Sequence, residues 1–431
     1  MPSTHQIIKD LYPICRSITG DGLRATLEYV QKYIGIEITE VLSGTAVFDW
    51  TVPDEWNIRD GFICNDKGDR IVDFRESNLH VVNYSEPIRG SFSLDELRPH
   101  LHTIPDQPDA IPYVTSYYKQ TWGFCLSHNL LKSLEDGQYT VEIDSSLEPG
   151  SLSYGELLVP GKTDQEILVS CHCCHPSLAN DNLSGIAVAM HLARHLSNQE
   201  NRFSYRFIFA PGTIGAIAWL AENEDVLPQI AGGLTLANLG DSGHFNYKRS
   251  RQHDSLIDNV VSLALNDSGH RYGIRNFSPY GYDERQYCSP GIDLPVGSFT
   301  RSIHGTFSEY HTSRDNLDFV NQESLKESFA LLQRVVDILE HNSVFENLNP
   351  KCEPQLGKRG LYSTTGGFAA TPDYSIALLW VLNYSDGTQS LMDISVRSGI
   401  AFDTIVQAAN RLRDARLIEE KTDWLAGENE V

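Results

Sequence analysis

The chain has 431 residues, a length that suggests about three domains at roughly 150 residues each. Its 34 basic and 57 acidic residues give a net charge of −23. This charge disfavours nucleic acid or anionic lipid as the main ligand, because both bind positively charged surfaces. It suits a neutral or cationic ligand better.

The sequence carries no sign of secretion or membrane insertion. The N-terminal residues, MPSTHQIIKDLYPICRS, lack the unbroken apolar stretch of a signal peptide. No run of about 18 apolar residues occurs, so we expect no membrane span. The eight cysteines are too few for a disulfide scaffold, and three of them crowd into positions 171–174. The sequence therefore predicts a cytoplasmic protein with reduced thiols.

Helices and then short strands are predicted for the first 150 residues. Residues 4–34 follow the helical period, with a break at the Thr-Gly-Asp-Gly segment 19–22. Short alternating stretches such as IEITEV, GFICN and RIVDF follow, separated by turns rich in Gly, Pro and Asp. We place a small β-rich module at residues 45–122, inserted into a larger domain.

From residue 139 the predicted elements alternate between strand and helix. YTVEIDSSL and GELLVPG have the pattern of strands, and EILVSCH and YRFIFA are continuous apolar runs typical of a buried parallel sheet. We predict an α/β domain of residues 1–44 and 123–350, in which helices flank a mostly parallel mixed sheet. Its later helices are predicted at 187–196, 214–220, 255–265 and 322–340.

The remaining segment, residues 351–431, has a helical pattern. Helices are predicted at 375–383, 391–398 and 402–414, with Ser398-Gly399 forming the turn between the last two. This arrangement resembles a winged helix-turn-helix domain. Its predicted core residues are Ile394, Val396, Ile400, Ile405, Ala409, Leu412 and Leu417.

The segment LVSCHCCHPSLANDNLSG combines a buried strand, two histidines and an Asn-Asp-Asn loop. In open α/β sheets, ligands bind at the carboxyl ends of strands, where this loop lies. Strand alternation would place only one of His172 and His175 in the cleft with Asp181. A small zinc knot made by the Cys-His-Cys-Cys-His run would lack partners, and small buried cysteines usually serve packing alone.

Two further polar clusters occur later in the chain. Residues 308–320, SEYHTSRDNLDFV, place Glu309, Tyr310 and His311 just before a helix. The segment GYDERQYCSPGIDLPVGSF places Asp283, Glu284 and Arg285 before a turn and a buried strand. A solvated loop is the alternative explanation for this second cluster.

Together these motifs carry a resemblance to a known clan. ANDNLSG before a helix, an Asp-Glu pair ahead of the GIDLP strand and a late EYHTSRDN look like the metal-dependent aminopeptidases that remove N-terminal amino acids with zinc. The whole chain is similar to a bacterial family of aminopeptidase-like proteins of uncharacterised function. Such proteins carry a small β-domain inserted near the N-terminus and a C-terminal winged helix.

The resemblance implies a metal site. It makes Asp181 the central carboxylate ligand, His311 the late histidine ligand and His175 the early one, with His172 in reserve. Two positions depart from the two-zinc pattern: Gly212 stands where the clan carries its general base, and Asn238 stands near an expected aspartate ligand. One Zn²⁺ with water in the fourth position therefore fits better than two, although manganese, cobalt or iron would accept the same ligands.

The same resemblance suggests roles for the neighbouring polar residues. Glu309 or Glu284 would take a proton from the attacking water, since Gly212 has no side chain. Tyr310 and Arg285 are donors that could stabilise an oxyanion. Asp283, with Glu284 and Glu309, would form an acidic rim that holds the ammonium group of a substrate.

Three functions compete at this stage. The first is a zinc hydrolase that cleaves an amide or peptide bond next to a free amino group, with a small peptide or aminoacyl amide as substrate. The second is a single-zinc cyclase similar to glutaminyl cyclases. The third is a degenerate peptidase fold that serves as a binding module, with self-association through the winged helix or the inserted module. DNA binding is disfavoured because the segment 402–421 is close to neutral.

Overall fold

The computed structural model describes residues 1–361 and 372–421. Local signals delimit several helices: the hydroxyl of Ser3 caps the first helix by accepting a hydrogen bond from the backbone N–H of Gln6, and Gly35 ends the second in a left-handed conformation. The helices are α1 (Thr4–Leu11), α2 (Asp21–Ile34), α3 (Leu94–Leu97), α4 (His128–Ser133), α5 (Gly185–Leu196), α6 (Ile214–Glu222), α7 (Leu256–Asp267), α8 (Glu284–Tyr287), α9 (Gln322–His341), α10 (Pro372–Tyr384), α11 (Leu391–Ser398) and α12 (Phe402–Asp414).

Strands fall mainly where apolar residues run continuously or alternate. The strands are β1 (Glu37–Leu42), β2 (Ala46–Val47), β3 (Trp50–Thr51), β4 (Glu55–Cys64), β5 (Arg70–Asp73), β6 (Ile88–Ser93), β7 (Leu101–His102), β8 (Phe124–Cys125), β9 (Gln138–Glu148), β10 (Ser151–Val159), β11 (Glu166–His172), β12 (Ser204–Ala210), β13 (Ile230–Leu236), β14 (Phe245–Lys248), β15 (Tyr272–Arg275), β16 (Val296–Thr300), β17 (Val344–Asn347), β18 (Asp386–Ser390) and β19 (Ile418–Glu420).

The largest sheet has eight strands in the order β1-β10-β12-β11-β13-β16-β14-β15. Its four middle strands, from β12 to β16, run parallel, and antiparallel pairs flank them on both sides. Every residue of β11 and β12 is buried, as their unbroken apolar runs predict, and α5 packs against β11, β12 and β13. The predicted α/β architecture, a mixed sheet flanked by helices, is confirmed.

A second sheet of four strands, in the order β5-β4-β9-β6, forms the inserted module. The sheet includes β9, so it extends to residue 148. The predicted end of the inserted module, residue 122, is therefore too early. Alternating residues of β9, among them Tyr139, Val141 and Ile143, join a hydrophobic cluster with residues of β4 to β8. The period-2 pattern identified β9 as a strand but could not tell which sheet it would join.

The described chain divides into two compact units, Met1–Asp258 with His270–Ala330 and Asn259–Gly269 with Leu331–Val431. The second unit contains α10 to α12 and the antiparallel sheet β18-β17-β19, as in a winged helix. Strand β17 lies before residue 351, where the C-terminal domain was predicted to begin. Residues 362–371 and 422–431 of that predicted domain lie outside the described residues.

Two predicted core residues of the second unit are not buried: Ile400 is half-buried and Val396 is exposed. Ile394, Ile405 and Leu412 are buried, but Val396 is 67% exposed. It lies two residues after Ile394, which is about 200° around a helix, so the two side chains point to opposite faces.

Among the helices in residues 1–361 and 372–421, none has the length and apolar character needed to cross a bilayer.

Candidate metal centre

The Asn-Asp-Asn loop lies between the end of β11 and the start of α5, and neighbouring strand ends hold it. The side-chain amide of Asn180 donates to the carboxylate of Asp241 at 2.8 Å and accepts from the backbone N–H of Gly240 at 2.8 Å. The amide of Asn182 donates to the carbonyl of Leu236 at 2.8 Å. These bonds fix the backbone on both sides of Asp181, whose side chain is fully buried.

Asp315 completes the support of this loop. Its carboxylate accepts the backbone N–H groups of Asn180 at 2.6 Å and Asp181 at 2.9 Å. Burial raises the pKa of Asp315 to about 8, against the opposing effect of these two donors. Asp315 belongs to the EYHTSRDN motif, but its role was not predicted, because nothing local links position 315 to the loop at 180.

Three histidines surround the carboxylate of Asp181. The Nε2 atom of His172 lies 2.8 Å from Oδ1, and the Nε2 atom of His311 lies 3.1 Å from Oδ2. The Nε2 atom of His175 lies 3.9 Å from Oδ2. The expectation that only one of His172 and His175 would reach the cleft is therefore wrong. Strand β11 ends at His172, so strand alternation does not govern the loop that carries His175.

These side chains match the chemistry of a zinc site. Imidazole nitrogens and a carboxylate are ordinary zinc ligands. The candidate ligand atoms of His172, His175 and Asp181 all lie within 4.8 Å of one another, and His311 approaches Oδ2 of Asp181, the oxygen that also faces His175. The residues present therefore fit one metal ion.

The electrostatics of the cluster favour an ionised carboxylate. Burial by itself would raise the pKa of Asp181, but His175 and His172 hold it well below its usual range. Burial lowers the pKa of His175, which leaves its imidazole neutral. A neutral imidazole and an ionised carboxylate are the forms that bind a metal.

Aromatic rings enclose the histidines. Tyr310 stacks on His311 with ring centres 3.9 Å apart, and Tyr282 stacks on His172 at 4.9 Å. The ring of Tyr113 lies 5.0 Å from His311. Burial raises the pKa of all three tyrosines, so each hydroxyl stays protonated and can donate a hydrogen bond.

The loop that carries His311 is tied to residues 107–113. The backbone N–H of Tyr113 donates to the carbonyl of His311 at 2.8 Å, and the N–H of Ser313 donates to the carbonyl of Ile111 at 2.8 Å. His311 itself has a left-handed backbone, with φ of 54°. Residues 107–113 therefore hold the loop that carries His311 in place. No sequence motif predicted this contact.

The predicted catalytic residues Glu284 and Glu309 lie in different surroundings. Glu284 is fully buried and forms an ion pair with Lys248, with Nζ 2.5 Å from Oε1. Glu309 is only half-buried, and its carboxylate accepts a hydrogen bond from Ser308. Neither placement favours a general base: Glu284 is already paired, and Glu309 shows no contact with the metal cluster in the described hydrogen bonds.

Asp283 differs from both. It is 2% exposed, and its Oδ1 atom is buried without a hydrogen-bond partner in the described residues. Burial raises its pKa to about 6. The Nε atom of Arg285 is likewise buried without a partner there, so an unused acceptor and an unused donor lie two residues apart.

Gly212 lies beside Asp283 and the histidine at the end of β11. A methyl group at Gly212 would lie 3.1 Å from Cβ of His172 and 3.3 Å from Oδ1 of Asp283. The aminopeptidases that the sequence resembles carry their general base at the position of Gly212. Here the unpaired Oδ1 atom of Asp283 borders that position. The side-chain amide of Asn238 donates to the hydroxyl of Tyr282 at 2.7 Å, so it orients the ring that stacks on His172.

Arg16 holds the backbone of His175 in place. It is 1% exposed, its Nε donates to the carbonyl of His175 at 2.7 Å, and its Nη1 donates to the carbonyl of Leu11 at 2.6 Å. Burial lowers its pKa to about 10. Arg16, in the segment CRSITG at residues 15–20, therefore positions His175. This role was not apparent from the sequence.

Two family models match the chain, and together they span nearly all of it. A family described as a domain of unknown function (DUF4910) matches residues 5–342, and a winged helix-turn-helix family matches residues 343–420. The chain belongs to the DUF4910 family. The second match confirms the predicted C-terminal winged helix.

Relatives of this DUF4910 protein carry peptidase-related names. A protein of Clostridium acetobutylicum named "Putative polysaccharide biosynthesis protein with aminopeptidase-like domain" is 51% identical over 415 residues, which cover 96% of this chain and 95% of that protein. A crystal structure of a "putative peptidase" from the same species has a TM-score of 0.92 at 49% identity, covering 97% of this chain and 96% of its own.

A more distant likeness concerns the fold alone. The structure of a zinc aminopeptidase from Bacillus subtilis has a TM-score of 0.56 at 13% identity, covering 77% of this chain and 93% of its own. The DUF4910 protein therefore has an aminopeptidase-like fold, and the resemblance drawn from its motifs is confirmed.

Proposed function

We propose that this DUF4910 protein is a zinc hydrolase that holds one metal ion and cleaves an amide or peptide bond next to a free amino group. The convergence of three imidazole rings on the buried carboxylate of Asp181 carries the proposal. The aminopeptidase-like fold supports it. Asp181 and His311 would hold the ion with one early histidine. The sequence favoured His175 for this place, but we assign it to His172, which lies closer to Asp181, and His175 supplies a further nitrogen within reach.

When bound, zinc polarises a carbonyl group and lowers the pKa of water toward about 7. The remaining work falls to side chains of this chain. We assign the general base to Asp283, because its Oδ1 atom is unpaired and borders the space left by Gly212. Glu284 instead neutralises Lys248, and Glu309 remains on the half-buried rim, where it would attract the substrate ammonium.

The proposed reaction consumes one water molecule. Its oxygen bonds to the amide carbon while one proton passes to Oδ1 of Asp283. The carbon–nitrogen bond then breaks, and that proton passes to the leaving amine, which gives a carboxylic acid and an amine. The hydroxyl of Tyr310 and the Nε–H of Arg285 are donors for the oxyanion that develops on the carbonyl oxygen.

Metal content of the purified protein tests the proposal. We expect about one zinc per chain by elemental analysis, lost in Asp181→Ala and His311→Ala and retained in the control His253→Asn, which changes an exposed histidine outside the cluster. Two ions per chain would contradict the single site. No metal after a chelator-free purification would make the degenerate binding module the better explanation.

The same preparation serves for a substrate screen. Aminoacyl amides and dipeptides test the predicted bond type directly. The relative's name associates it with polysaccharide biosynthesis, so amides of amino sugars belong in the same screen.

A further inference from the structure

A groove of about 310 Å³ opens between the β2–β3 hairpin, α6 and the segment after α8. Phe48 and Trp50 form one wall and are 51% and 45% exposed, although both are large and apolar. Ile217 and Leu220 of α6 contribute to the opposite side. Its volume is at the lower end of the range of about 300–1,000 Å³ for small-molecule sites, so it suits one or two small rings rather than a long polymer.

One lining residue connects the groove to the segment that follows β12, where Gly212 lies. Gln286 lines the groove, and its side-chain amide donates to the hydroxyl of Thr213 at 3.3 Å. Thr213 follows Gly212, which lies against His172 and Asp283. Gln286 and Thr213 therefore connect the groove to a residue that borders His172 and Asp283.

Aromatic residues connect the other side of the groove to the candidate metal centre. Trp50 lies 5.4 Å from Tyr118, which is itself 53% exposed. The hydroxyl of the preceding residue, Tyr117, shares a hydrogen bond of 3.0 Å with the hydroxyl of Tyr113. The ring of Tyr113 then contacts His311. A series of aromatic contacts therefore runs from the wall of the groove to His311.

The charges of the lining residues restrict the ligand. Asp49 and Glu224 supply carboxylates, Gln286 and Ser289 supply neutral polar groups, and none of the described residues that line the groove is Lys, Arg or His. Phosphorylated or carboxylated ligands are disfavoured by these carboxylates and by the net charge of −23. Aromatic faces beside carboxylates attract an ammonium group, and the same carboxylates accept hydrogen bonds from hydroxyl groups.

We propose that this groove binds an amino-sugar ring, whose C–H face packs on Trp50 and Phe48 while its ammonium and hydroxyl groups meet Asp49 and Glu224. The inference rests on the proposed function in one respect, since the sugar would be the part of the substrate that extends from the amide. Binding itself needs no metal, so the test can be run independently of hydrolysis.

Isothermal titration calorimetry with chitobiose, the disaccharide of glucosamine, tests the proposal. We expect saturable binding at millimolar concentrations, both in the wild type and in Asp181→Ala, where hydrolysis would be lost. Cellobiose, which has hydroxyl groups in place of the amines, should bind several-fold more weakly, and a glucuronic acid disaccharide should not bind.

Matched variants locate the binding site. Trp50→Ala should weaken chitobiose binding about fivefold to tenfold, because a stacking face is lost, and Trp50→Phe should restore most of it. Glu224→Gln should weaken chitobiose more than cellobiose. Tyr272→Ala removes another exposed aromatic side chain far along the chain and should change nothing. Trp50 is half-exposed, so its truncation leaves the core intact, which a thermal melt verifies.

Three results would overturn the assignment. The first is no saturable binding of chitobiose. The second is equal binding of cellobiose, which would remove the role of the ammonium group. The third is equal binding of lysinamide, which would indicate a site for cations without a sugar. Absence of zinc from the wild-type protein, with chitobiose binding intact, would refute the proposed hydrolase alone, so the two failures are distinguishable.

Discussion

At the residue scale, the position of Asp181 depends on groups that are far apart in the chain. Its two carboxylate oxygens meet different histidines, and Asp315 fixes its backbone through two N–H groups. A buried carboxylate in such a setting stays ionised only because its partners compensate for lost hydration. Oδ1 of the neighbouring Asp283 has no such partner, and for this reason we assign Asp283 the role of base and not of ligand.

Asp283→Asn should therefore lower turnover of a cleaved aminoacyl amide by about 10²–10⁴-fold, the usual contribution of a positioned base, with zinc content unchanged. The pKa of about 6 also predicts a pH dependence. A base acts only when deprotonated, so activity should fall as the pH drops through about 6. Steady-state kinetics across the pH range check both expectations.

Glu309→Gln is the control for this prediction. Glu309 lies on the half-buried rim, so its amide variant should mainly raise KM by weakening attraction of the ammonium group. If Glu309→Gln abolished turnover while Asp283→Asn retained it, the two roles would have to be exchanged.

At the element scale, β14 and α8 are joined by the ion pair between Lys248 and Glu284. Both side chains are almost completely buried, and Lys248 also donates to the carbonyls of Ser278 and Tyr280. A charge buried this deeply has lost its hydration, so it depends on its partner. The pair therefore holds the segment that carries Asp283 and Arg285 against the sheet.

Lys248→Met should destabilise the protein by about 3–5 kcal/mol, because it leaves the carboxylate of Glu284 buried and uncompensated. The double variant Lys248→Met with Glu284→Gln should recover part of that loss, since no charge then remains buried. Thermal and urea unfolding of the four proteins measure the coupling. Full stability of Glu284→Gln together with complete loss of turnover would instead return Glu284 to the catalytic role expected from the sequence.

Elements were more predictable from the sequence than their contacts. The predicted bounds of β11, β12, α11 and α12 agree with the observed bounds within one or two residues. Continuous apolar runs indicated the two strands, and helical periodicity indicated the two helices. The partner sheet of β9 was not predictable, because alternation identifies a half-buried strand but not its neighbour. Asp181, His311 and Asp315 stand in motifs that carry the resemblance, although the contact of Asp315 with the loop at 180 was not predictable. Tyr113 reaches the site only through tertiary contacts.

The two compact units of the molecule have different architectures. The first contains the candidate metal centre and the aromatic groove. The second is a winged helix, a fold that in other proteins places a helix in the major groove of DNA. Its helix α12 carries Arg411 and Arg413 but also Asp403 and Asp414, and the strand β19 that follows ends in two glutamates.

This balance predicts that the full chain does not bind DNA through the winged helix. Non-specific DNA binding requires enough Lys and Arg contacts to displace counterions from the phosphates, and a chain with a net charge of −23 repels the duplex at long range. Fluorescence anisotropy with a labelled duplex should show no binding at physiological salt, where non-specific binders reach dissociation constants of about 10⁻⁴–10⁻⁶ M. It should also show none when the salt is lowered. Binding that strengthens steeply as salt falls would contradict this prediction and reveal a basic face despite the mixed charges of α12.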